Sequence, residues 1–365
     1  MSAPKEVIWH RDPHTAAKHD LLRRYLLAWA PILLTHNEVV TYAEGFAGPG
    51  VYEGGEAGSP VIAHQVLAGA LRQRARRIKM VLVEEDPRRK NELERRIAAA
   101  RTGMVPDTAA RLEVSIAQGA CHPDLLPQLS RAGSLRHPMF VLLDGFGGPE
   151  VPFDLLRTIA ARNGSNEVMI TFQPQFLYRF AEKDERHRAA GDAFFGGTEW
   201  HGVFAQASRR KMSYLREQYR RTLGKAGFQH SLVFEMIDEG GRVLYLVFGT
   251  RHPKGVEKMK DAMWKVDTAT GVRYRDPKDP QQQELDLTFE PDTAPLHRIL
   301  VEHLRDVESR TVDQLQQYTL LETVYRPTQV ITLLKRMRDG GEVGIAPGRI
   351  TRATTVTAAK TDVLF

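Results

Sequence analysis

The stretches TYAEGFAGPG, at residues 41–50, and VLLDGFGGPE, at residues 141–150, repeat one pattern. In each, a short apolar run ends in an acidic residue and continues with Gly-Phe, a small residue, Gly and Pro. Glycine lets a chain turn sharply and lets a ligand approach the backbone closely. The repetition predicts two strands whose carboxyl ends line the same cleft.

Apolar runs around these two turns predict a sheet in which strands alternate with helices. Strands are expected at 38–45, 78–86, 111–119, 139–147 and 167–172, and the intervening helices begin near 59, 87 and 151. This alternation is typical of a parallel sheet with right-handed crossovers. Residues 231–251 add two strands joined by a Gly-Gly turn, which predicts an antiparallel hairpin. The predicted class is α/β, a Rossmann-like, doubly wound, mostly parallel sheet with a C-terminal antiparallel hairpin.

Two local features complete the prediction for this sheet domain. Residues 14–30 place apolar side chains at helical spacing, and Pro31 is expected to end that helix. The stretch FFGGTEWHG, at 194–202, is expected to be a loop.

The two turns are predicted to form one binding cleft. In a doubly wound sheet, ligands bind beyond the carboxyl ends of the strands, at the point where the strand order reverses. If the first and fourth strands are neighbours there, Glu44 and Asp144 supply acceptors, and Phe46 and Phe146 supply flat apolar walls. The glycines expected to border the cofactor are Gly45, Gly48 and Gly50.

The glycine spacing argues against a dinucleotide cofactor. Glycines at 45, 48, 50, 54 and 55 do not fit G-x-G-x-x-G in any register. The next helix begins only near residue 59, too late for a pyrophosphate to sit on its N-terminus. A pocket for S-adenosylmethionine, which carries no phosphate, fits better.

Acidic residues after the second strand suit the ribose of that cofactor. Among Glu84, Glu85 and Asp86, Glu84 comes last in the apolar run and is the candidate, although a solvated helix cap is an alternative for the cluster. Ala120 stands where many such enzymes carry an acid for the adenine amino group, so Gln118 is the candidate there. Asp124 is the alternative to Gln118.

The segment after the fifth strand supplies candidate substrate contacts. Gln173, Gln175 and Arg179, in TFQPQFLYRF, place amides and a guanidinium near the rim of the predicted cleft. Such groups suit base edges or phosphates, and an ordinary polar loop is the alternative. Cys121 is expected to be structural, because no base is predicted to face its thiol.

The doubled turn occurs together with HTAAKHDLLRRYLLAW (14–29), EAGSP (56–60) and MKDAMWKVD (259–267). In this order the motifs resemble the three-Cys-motif partner proteins, TcmP, over most of residues 9–267. Members of that family look like class I S-adenosylmethionine-dependent methyltransferases and are named for a companion protein with a cysteine motif. The resemblance therefore implies a methyltransferase fold and a three-Cys-motif partner.

A more distant resemblance is to the large-subunit ribosomal RNA adenine-N6 methyltransferases, which also open with a helix containing Lys-His. By that likeness Lys18 would lie near cofactor or substrate, and a solvated lysine is the alternative. Those enzymes carry Asp-Pro-Pro-Tyr after the fourth strand, whereas this chain has Asp144, Gly145 and Phe146. The resemblance implies that Asp144 accepts from the target amine and that Phe146 stacks on its ring. The missing prolines put adenine-N6 specificity in doubt.

The rest of the chain predicts a second module after a polar linker. Residues 1–275 are assigned to the methyltransferase-like domain, 276–292 to the linker and 293–365 to a winged-helix-like module. Such a module inserts a helix into a major groove in some proteins and forms dimer or partner surfaces in others.

Composition indicates an intracellular protein with an anionic partner. The formal charge is +6, with basic clusters at 72–77, 208–211 and 333–338 that suit nucleic acid, although solvated helix faces are an alternative. The N-terminus lacks a secretory signal, and no apolar run approaches the ~20 residues of a membrane span. The single cysteine excludes a disulfide framework and a cysteine metal site in this chain, so a cytoplasmic location without membrane contact is expected.

These features together predict an S-adenosylmethionine-dependent methyltransferase that acts on RNA or DNA with a three-Cys-motif partner. Asp144, Phe146 and Lys18 would be catalytic. The residues expected to hold the cofactor are Glu44, Gly45, Phe46, Gly48, Gly50, Glu84 and Gln118. The alternative is a non-catalytic or cofactor-binding specificity partner for the three-Cys-motif protein.

Overall fold

The computed structural model describes residues 5–145, 148–237, 242–271, 273–275, 291–305 and 307–359. The described residues divide into two compact units. The N-terminal unit contains the described residues up to 255 together with 273–275, and the C-terminal unit contains 256–271 and the described residues from 291 onward. Residues 256–271 were expected in the first domain, and the structure groups them with the second unit. The boundaries at 275 and 293 stay predictions.

The N-terminal unit is built on a large sheet. Its strands are β1 (Val39–Glu44), β2 (Arg77–Glu84), β3 (Leu112–Gln118), β4 (Met139–Leu143), β5 (Asn166–Phe172), β6 (His230–Ile237), β7 (Val243–Thr250) and β8 (Arg273–Arg275). The described strands lie in the order β3-β2-β1-β4-β5-β7-β6-β8. Among them, only β7 runs antiparallel to its neighbours. The predicted Rossmann-like, mostly parallel sheet with a closing hairpin is confirmed.

Helices connect these strands. They are α1 (Pro13–His36), α2 (Ser59–Leu71), α3 (Pro87–Arg101), α4 (Pro106–Arg111), α5 (Cys121–Arg131), α6 (Phe153–Ala160), α7 (Pro174–Phe180), α8 (Glu185–Phe195), α9 (Ser208–Ala226) and α10 (Pro253–Val266), with 3-10 helices at Ser134–Arg136 and Glu199–Val203. The predicted helix start at Ser59-Pro60 is confirmed, with proline in the first turn, where its missing N–H costs nothing.

The pairing of β1 brings the two copies of the turn pattern together. Glu44 pairs with Leu82 on β2 and with Leu142 on β4, so β1 lies between β2 and β4. The amide of Gly45 then donates to the carbonyl of Leu142 over 3.1 Å. The first and fourth strands are adjacent, as predicted, and their carboxyl ends meet at one edge.

Two local predictions were wrong. Pro31 lies inside α1, which continues to His36. The carbonyl that Pro31 leaves unbonded belongs to Leu27, whose side chain is 58% exposed, so water can reach this side of the helix. Residues 194–202 are not a plain loop, because Trp200 is fully buried in a 3-10 helix and stacks on Phe195 with ring centroids 5.5 Å apart.

The C-terminal unit combines helices with a small antiparallel sheet. Its further elements are α11 (Ala294–Arg305), β9 (Arg310–Thr311), α12 (Val312–Glu322), α13 (Pro327–Asp339), β10 (Val343–Gly344) and β11 (Thr355–Ala358). The described strands are ordered β10-β11-β9. A core of Trp264, Leu300, Leu315, Leu334 and Val356 holds the unit together. The winged-helix assignment of this unit stays a prediction.

Within the described part of the chain, none of the helices combines the length and apolarity that crossing a bilayer needs.

Candidate active site

A cavity of about 680 Å³ lies at the carboxyl ends of β1, β2 and β4. The predicted site residues that line it are Lys18, Gly45, Phe46, Gly48, Gly50, Glu84, Asp144 and Gln173. The first and last of these residues, Lys18 and Gln173, are more than 150 positions apart in the sequence, and the strand order brings them together. The cavity occupies the place where doubly wound sheets bind ligands.

Glu84 ends β2 and is held rigidly at the cavity wall. Its Oε2 accepts from the amide of Gly48 over 2.8 Å, and its Oε1 accepts from the amide of Asp86 over 3.0 Å. Its side chain is buried, but it borders the cavity. A carboxylate can accept about four hydrogen bonds, so each oxygen keeps capacity for a ligand hydroxyl.

Asp144 follows β4 and forms an ion pair with Lys18 of α1. The lysine Nζ donates to Oδ1 over 2.8 Å and to Oδ2 over 2.7 Å. Both side chains border the cavity and are largely shielded from solvent. Lys18 is therefore not a solvated lysine, and the pair fixes the orientation of the carboxylate at the cavity wall.

The loop after β1 uses its amides within the protein. Ala47 donates to the carbonyl of Val83 over 2.9 Å, while Gly48 donates to Glu84 and Gly45 to Leu142. Phosphate-binding loops instead point successive N–H groups at the anion. This loop does not present these amides to a phosphate, and it places a carboxylate beside the cavity.

Gly45 lines the cavity, and packing also requires a glycine at this position. A Cβ at this position would lie 2.5 Å from the Sγ of Cys121 and 3.1 Å from Leu143. Burial raises the pKa of the Cys121 thiol to about 12, so the sulfur is not a thiolate near neutral pH. Its environment supports the structural role expected for Cys121. At Gly48, by contrast, φ is +64°, a backbone conformation that favours glycine.

Glu44 was expected to contact the cofactor, but the structure places it behind the cavity wall. Its oxygens accept from the hydroxyls of Tyr42 and Ser59 over 2.6 and 2.7 Å. Burial raises its pKa to about 8, although both hydrogen bonds lower it. The reason for its position is the two-residue period of a strand, which puts Glu44 on the same face as Tyr42. Its role is to anchor the start of α2 to β1.

Three other predicted residues do not line the cavity. Gln118, at the end of the edge strand β3, is exposed. Gln175 and Arg179 lie on α7, beyond the rim residue Gln173, and Arg179 points to solvent. Their helix leads away from the cavity, which the sequence pattern did not indicate. Phe146 lies outside the described residues.

The structure adds aromatic residues that sequence analysis missed. Trp9 and Tyr52 both line the cavity, with their rings edge to face at 5.8 Å. The guanidinium of Arg89 lies 5.0 Å from the Trp9 ring centroid, and the Trp9 carbonyl accepts from the amide of Glu53 over 3.0 Å. Only tertiary contacts bring this N-terminal segment to the glycine-rich loop, so local spacing carried no signal for it.

The buried His19 lies next to Lys18 on α1. Its ring is 5.5 Å from that of Tyr52, and burial lowers its pKa to about 4. It is therefore neutral near pH 7 and leaves Lys18 as the cation that faces Asp144. Within the described residues, no group of three or more His, Cys, Asp or Glu side chains is arranged to hold a metal ion.

Comparison with known proteins yields distant likenesses. No protein-family model matches the chain, and no curated protein matches it. Protein LPL1258 from Legionella pneumophila is 12% identical over 63% of this chain and 84% of that chain, with a TM-score of 0.37. The METTL16 MTase domain is 12% identical over 62% and 66%, with a TM-score of 0.32. The O-methyltransferase from Bacillus cereus in complex with SAH is 10% identical over 62% and 80%, also with a TM-score of 0.32.

At identities and TM-scores this low, these likenesses carry no argument about function. The strand order and the direction of β7 show a Rossmann-like, mostly parallel sheet that is closed by an antiparallel hairpin.

Proposed function

We propose that this chain is an S-adenosylmethionine-dependent methyltransferase whose substrate is a nucleic acid. One observation carries the proposal. The carboxylate of Glu84 and the Lys18–Asp144 ion pair border a single cavity at the carboxyl ends of β2, β1 and β4. Such an arrangement offers one end to a ribose and the other to a reacting group.

The cavity fits the proposed cofactor in size and in donor chemistry. Its volume of about 680 Å³ lies within the range of small-molecule sites. Glu84 would accept from ribose hydroxyls, and Gly48 and Gly50 would border the rest of the molecule. The cofactor supplies a methyl group on a positively charged sulfur. A dinucleotide is disfavoured, because the amides of Gly45, Ala47 and Gly48 already donate to acceptors within the protein. Its pyrophosphate would meet the carboxylate of Glu84 instead of free N–H groups.

Asp144 and Lys18 would serve the methyl acceptor. An amine entering the cavity would donate a hydrogen bond to an Asp144 oxygen and would compete with Lys18 for it. A carboxylate held in this position orients the amine and accepts its proton, the positioning that methyl transfer chiefly requires. The ring of Phe46 lies against Gly145, where a Cβ would come within 3.2 Å, and offers a flat surface for a base.

The nucleic acid in this proposal is supported by charge. The chain carries a formal charge of +6 and basic clusters at 72–77, 208–211 and 333–338. A three-Cys-motif partner and a cytoplasmic location belong to the same proposal and are supported by the sequence resemblance and composition. Co-purification of the full chain with a three-Cys-motif protein tests the partner, and recovery of each protein without the other would contradict it.

The test of the cofactor site is calorimetric titration of S-adenosylhomocysteine into wild type, Glu84→Gln and Glu94→Gln. Glu94 pairs with Lys90 on the same part of the fold but does not line the cavity, so its variant is the matched control. A charged hydrogen bond contributes about 1.5–3 kcal/mol, so Glu84→Gln should weaken binding roughly tenfold to a hundredfold. Glu94→Gln should bind like wild type.

Equal affinities for the three proteins would contradict the role of Glu84. Absence of binding to wild type would overturn the enzyme proposal and favour the alternative, a specificity partner for the three-Cys-motif protein.

A further inference from the structure

Helix α7 leads outward from the rim of the candidate active site. Gln173 lines the cavity and immediately precedes the helix, which ends at Phe180. At about 1.5 Å per residue, its seven residues extend roughly 10 Å. Leu177 is buried against the core, whereas Gln175 is half-buried and Arg179 is exposed. These last two residues are about one helical turn apart and lie on the same face. A polar face of α7 therefore begins at the cavity rim.

The start of α9 lies beside α7 and is basic. The Nζ of Lys211 lies 5.7 Å from the centroid of the Tyr178 ring, and Arg209 and Arg210 precede this lysine with exposed side chains. A helix dipole disfavours cations at the start of a helix, and the first turn of α9 has no acidic residue. These cations therefore do not stabilise their own helix, which favours a role for them outside it. We define the α7–α9 surface as Gln175, Tyr178, Arg179, Arg209, Arg210 and Lys211.

Within the described residues, ion pairs do not neutralise the arginines of the α7–α9 surface. Residues 173–181 and 200–216 contain five Lys and Arg side chains and no Asp or Glu. Of the acids that border these segments in sequence, Glu199 pairs with Lys225 and Glu217 pairs with Arg216. Glu182 comes only after the end of α7. A surface of this charge attracts a polyanion.

Tyr178 gives the α7–α9 surface an aromatic ring. The ring is half-buried beside Lys211, a flexible side chain that can move away to a phosphate. Phe180 lies on the other flank of α7, because residues two positions apart are separated by about 200° around a helix. Its ring approaches that of His187 on α8, with centroids 5.7 Å apart. A ring and several cations on one side of a helix suit the unpaired bases and the phosphates of a single strand.

We infer that the α7–α9 surface binds the nucleic-acid strand that carries the target base, and that this strand is unpaired there. With the target base in the cavity, the neighbouring nucleotides would pass Gln173 and follow α7 outward. One unpaired base would stack on Tyr178, and phosphates would pair with the cations of the surface. A duplex would supply phosphates but no free base face, because its bases stack on one another. The inference deepens the proposed function and rests on its nucleic-acid substrate.

The test is fluorescence anisotropy of the full chain with labelled RNA and DNA single strands of about 15 nucleotides, without internal pairing. The duplexes of the same sequences are measured alongside, and the variants are compared on the single strand that binds wild type more tightly. Arg179→Ala/Arg210→Ala removes two cations of the surface. The control, Arg23→Ala/Arg221→Ala, removes the same charge from exposed positions on α1 and on the far half of α9.

Wild type and the control should bind the single strand more tightly than the duplex. Arg179→Ala/Arg210→Ala should bind it at least about fivefold more weakly, since two phosphate contacts are lost. Its slope of log affinity against log salt should become less steep by about 1.4, which is about 0.7 for each lost contact.

Three further variants test the stacking of a base. Tyr178→Leu should bind the single strand at least about fivefold more weakly with an unchanged salt slope, because it loses the ring but no charge. Tyr178→Phe keeps the ring and should bind like wild type. Phe180→Leu removes a ring from the opposite flank of the same helix and should also bind like wild type.

Unchanged thermal unfolding of the variants shows that the fold is intact. Duplexes that bind as tightly as their single strands, or a wild type that binds no single strand, would overturn the inference. An unchanged affinity of Arg179→Ala/Arg210→Ala, or equal losses in Tyr178→Leu and Phe180→Leu, would overturn it as well.

Calorimetric titration of S-adenosylhomocysteine separates this inference from the proposed enzyme activity. All variants should bind it like wild type, because none of the changed residues lines the cavity. If wild type binds the single strand as described but does not bind S-adenosylhomocysteine, the enzyme proposal fails and the strand-binding surface stands.

Discussion

At the scale of the residue, Gly45 shows how a feature predicted for one reason can be required for another. The sequence indicated a glycine that allows close approach of a ligand, and the structure shows close approach of Cys121 and Leu143. The need for a glycine at this position was predicted correctly, because any close approach to the backbone, whether by a ligand or by a side chain, excludes a Cβ.

Replacing Gly45 with alanine should destabilise the protein. The new Cβ would lie 2.5 Å from the Cys121 Sγ, and such overpacking costs typically about 1–3 kcal/mol. Chemical denaturation should show this loss, and Cys121→Ala in the same chain should recover part of it. Gly69→Ala is the control, since nothing lies within 4 Å of its Cβ position in α2, and it should stabilise by roughly 0.5–1 kcal/mol. A Gly45→Ala variant with the same stability as wild type would contradict the packing explanation.

The Lys18–Asp144 pair should show energetic coupling well above that of an exposed pair. Removing one partner leaves the other charge poorly solvated, so Lys18→Met and Asp144→Asn should each destabilise the protein. The double variant should lose less stability than the sum of the two single losses. We expect a coupling of about 1–3 kcal/mol from denaturation of the four proteins. The cycle for Arg24 and Asp20, a half-exposed pair on α1, should give less than about 1 kcal/mol. Similar couplings in the two cycles would contradict the shielding seen at Asp144.

Residue positions at the site were predictable where a strand end decided them. Glu84 ends a buried strand and Asp144 follows one, so their location at the edge of the sheet depended only on strand order. The side to which a residue points was harder, since Glu44 ends its strand but faces Tyr42 and Ser59. The position of Trp9 at the cavity depends on contacts with Glu53 and Arg89, which are distant in sequence. No local sequence pattern predicts such contacts.

At the scale of the element, a buried carboxyl links α1 to the sheet. Glu167 of β5 accepts from the hydroxyl of Tyr25 on α1 over 2.6 Å and from that of Thr250 on β7 over 2.9 Å. Burial raises its pKa to about 7, although these hydrogen bonds lower it. The helix that carries Lys18 is thereby fixed against two strands, so this link helps to position the ion pair.

The stability of the protein should fall as pH rises because of this group. The folded state holds the Glu167 proton more tightly than the unfolded chain, whose glutamates titrate near 4.5. The contribution is complete below about pH 4.5 and is lost as pH rises through 7, a change of about 3 kcal/mol. Glu167→Gln, measured by denaturation between pH 4.5 and 8, should lose this part of the pH dependence. The exposed Glu94→Gln should keep it, and a Glu167→Gln profile parallel to wild type would contradict the raised pKa.

The elements themselves were largely predictable because their signals are local. Continuous apolar runs gave the parallel strands, and the Gly-Gly turn gave the hairpin of β6 and β7. The prediction for α1 was wrong at Pro31, because an exposed carbonyl can bond to water instead of to the missing N–H. The loop prediction for the stretch around Trp200 was wrong. The glycines there suggested a loop, but the Trp200 ring is buried and stacks on Phe195.

At the scale of the whole molecule, the chain passes between the two units more than once. The N-terminal unit includes β8, which pairs with β6, whereas the preceding residues 256–271 belong to the C-terminal unit. Within that unit, Lys260 donates from Nζ to the carbonyls of Leu320 and Thr323, each over 2.6 Å, at the end of α12. Sequence composition placed a boundary at the polar linker, but it could not show that α10 packs with residues beyond that linker.

A fragment of residues 1–275, cut at the predicted boundary, should therefore contain an unstable α10. In the full chain, Trp264 is buried, and its Nε1 donates to the carbonyl of Val324 over 3.0 Å. The fragment lacks Val324 and the carbonyls that Lys260 binds, so a buried cation and a large aromatic ring would lose their partners. Hydrogen exchange should show fast amides across α10 in the fragment and protected ones in the full chain. The buried α1 provides the internal control and should stay protected in both, because its contacts with Glu167 and Asp144 remain. Equal protection of α10 in fragment and full chain would show that the N-terminal unit alone stabilises this helix.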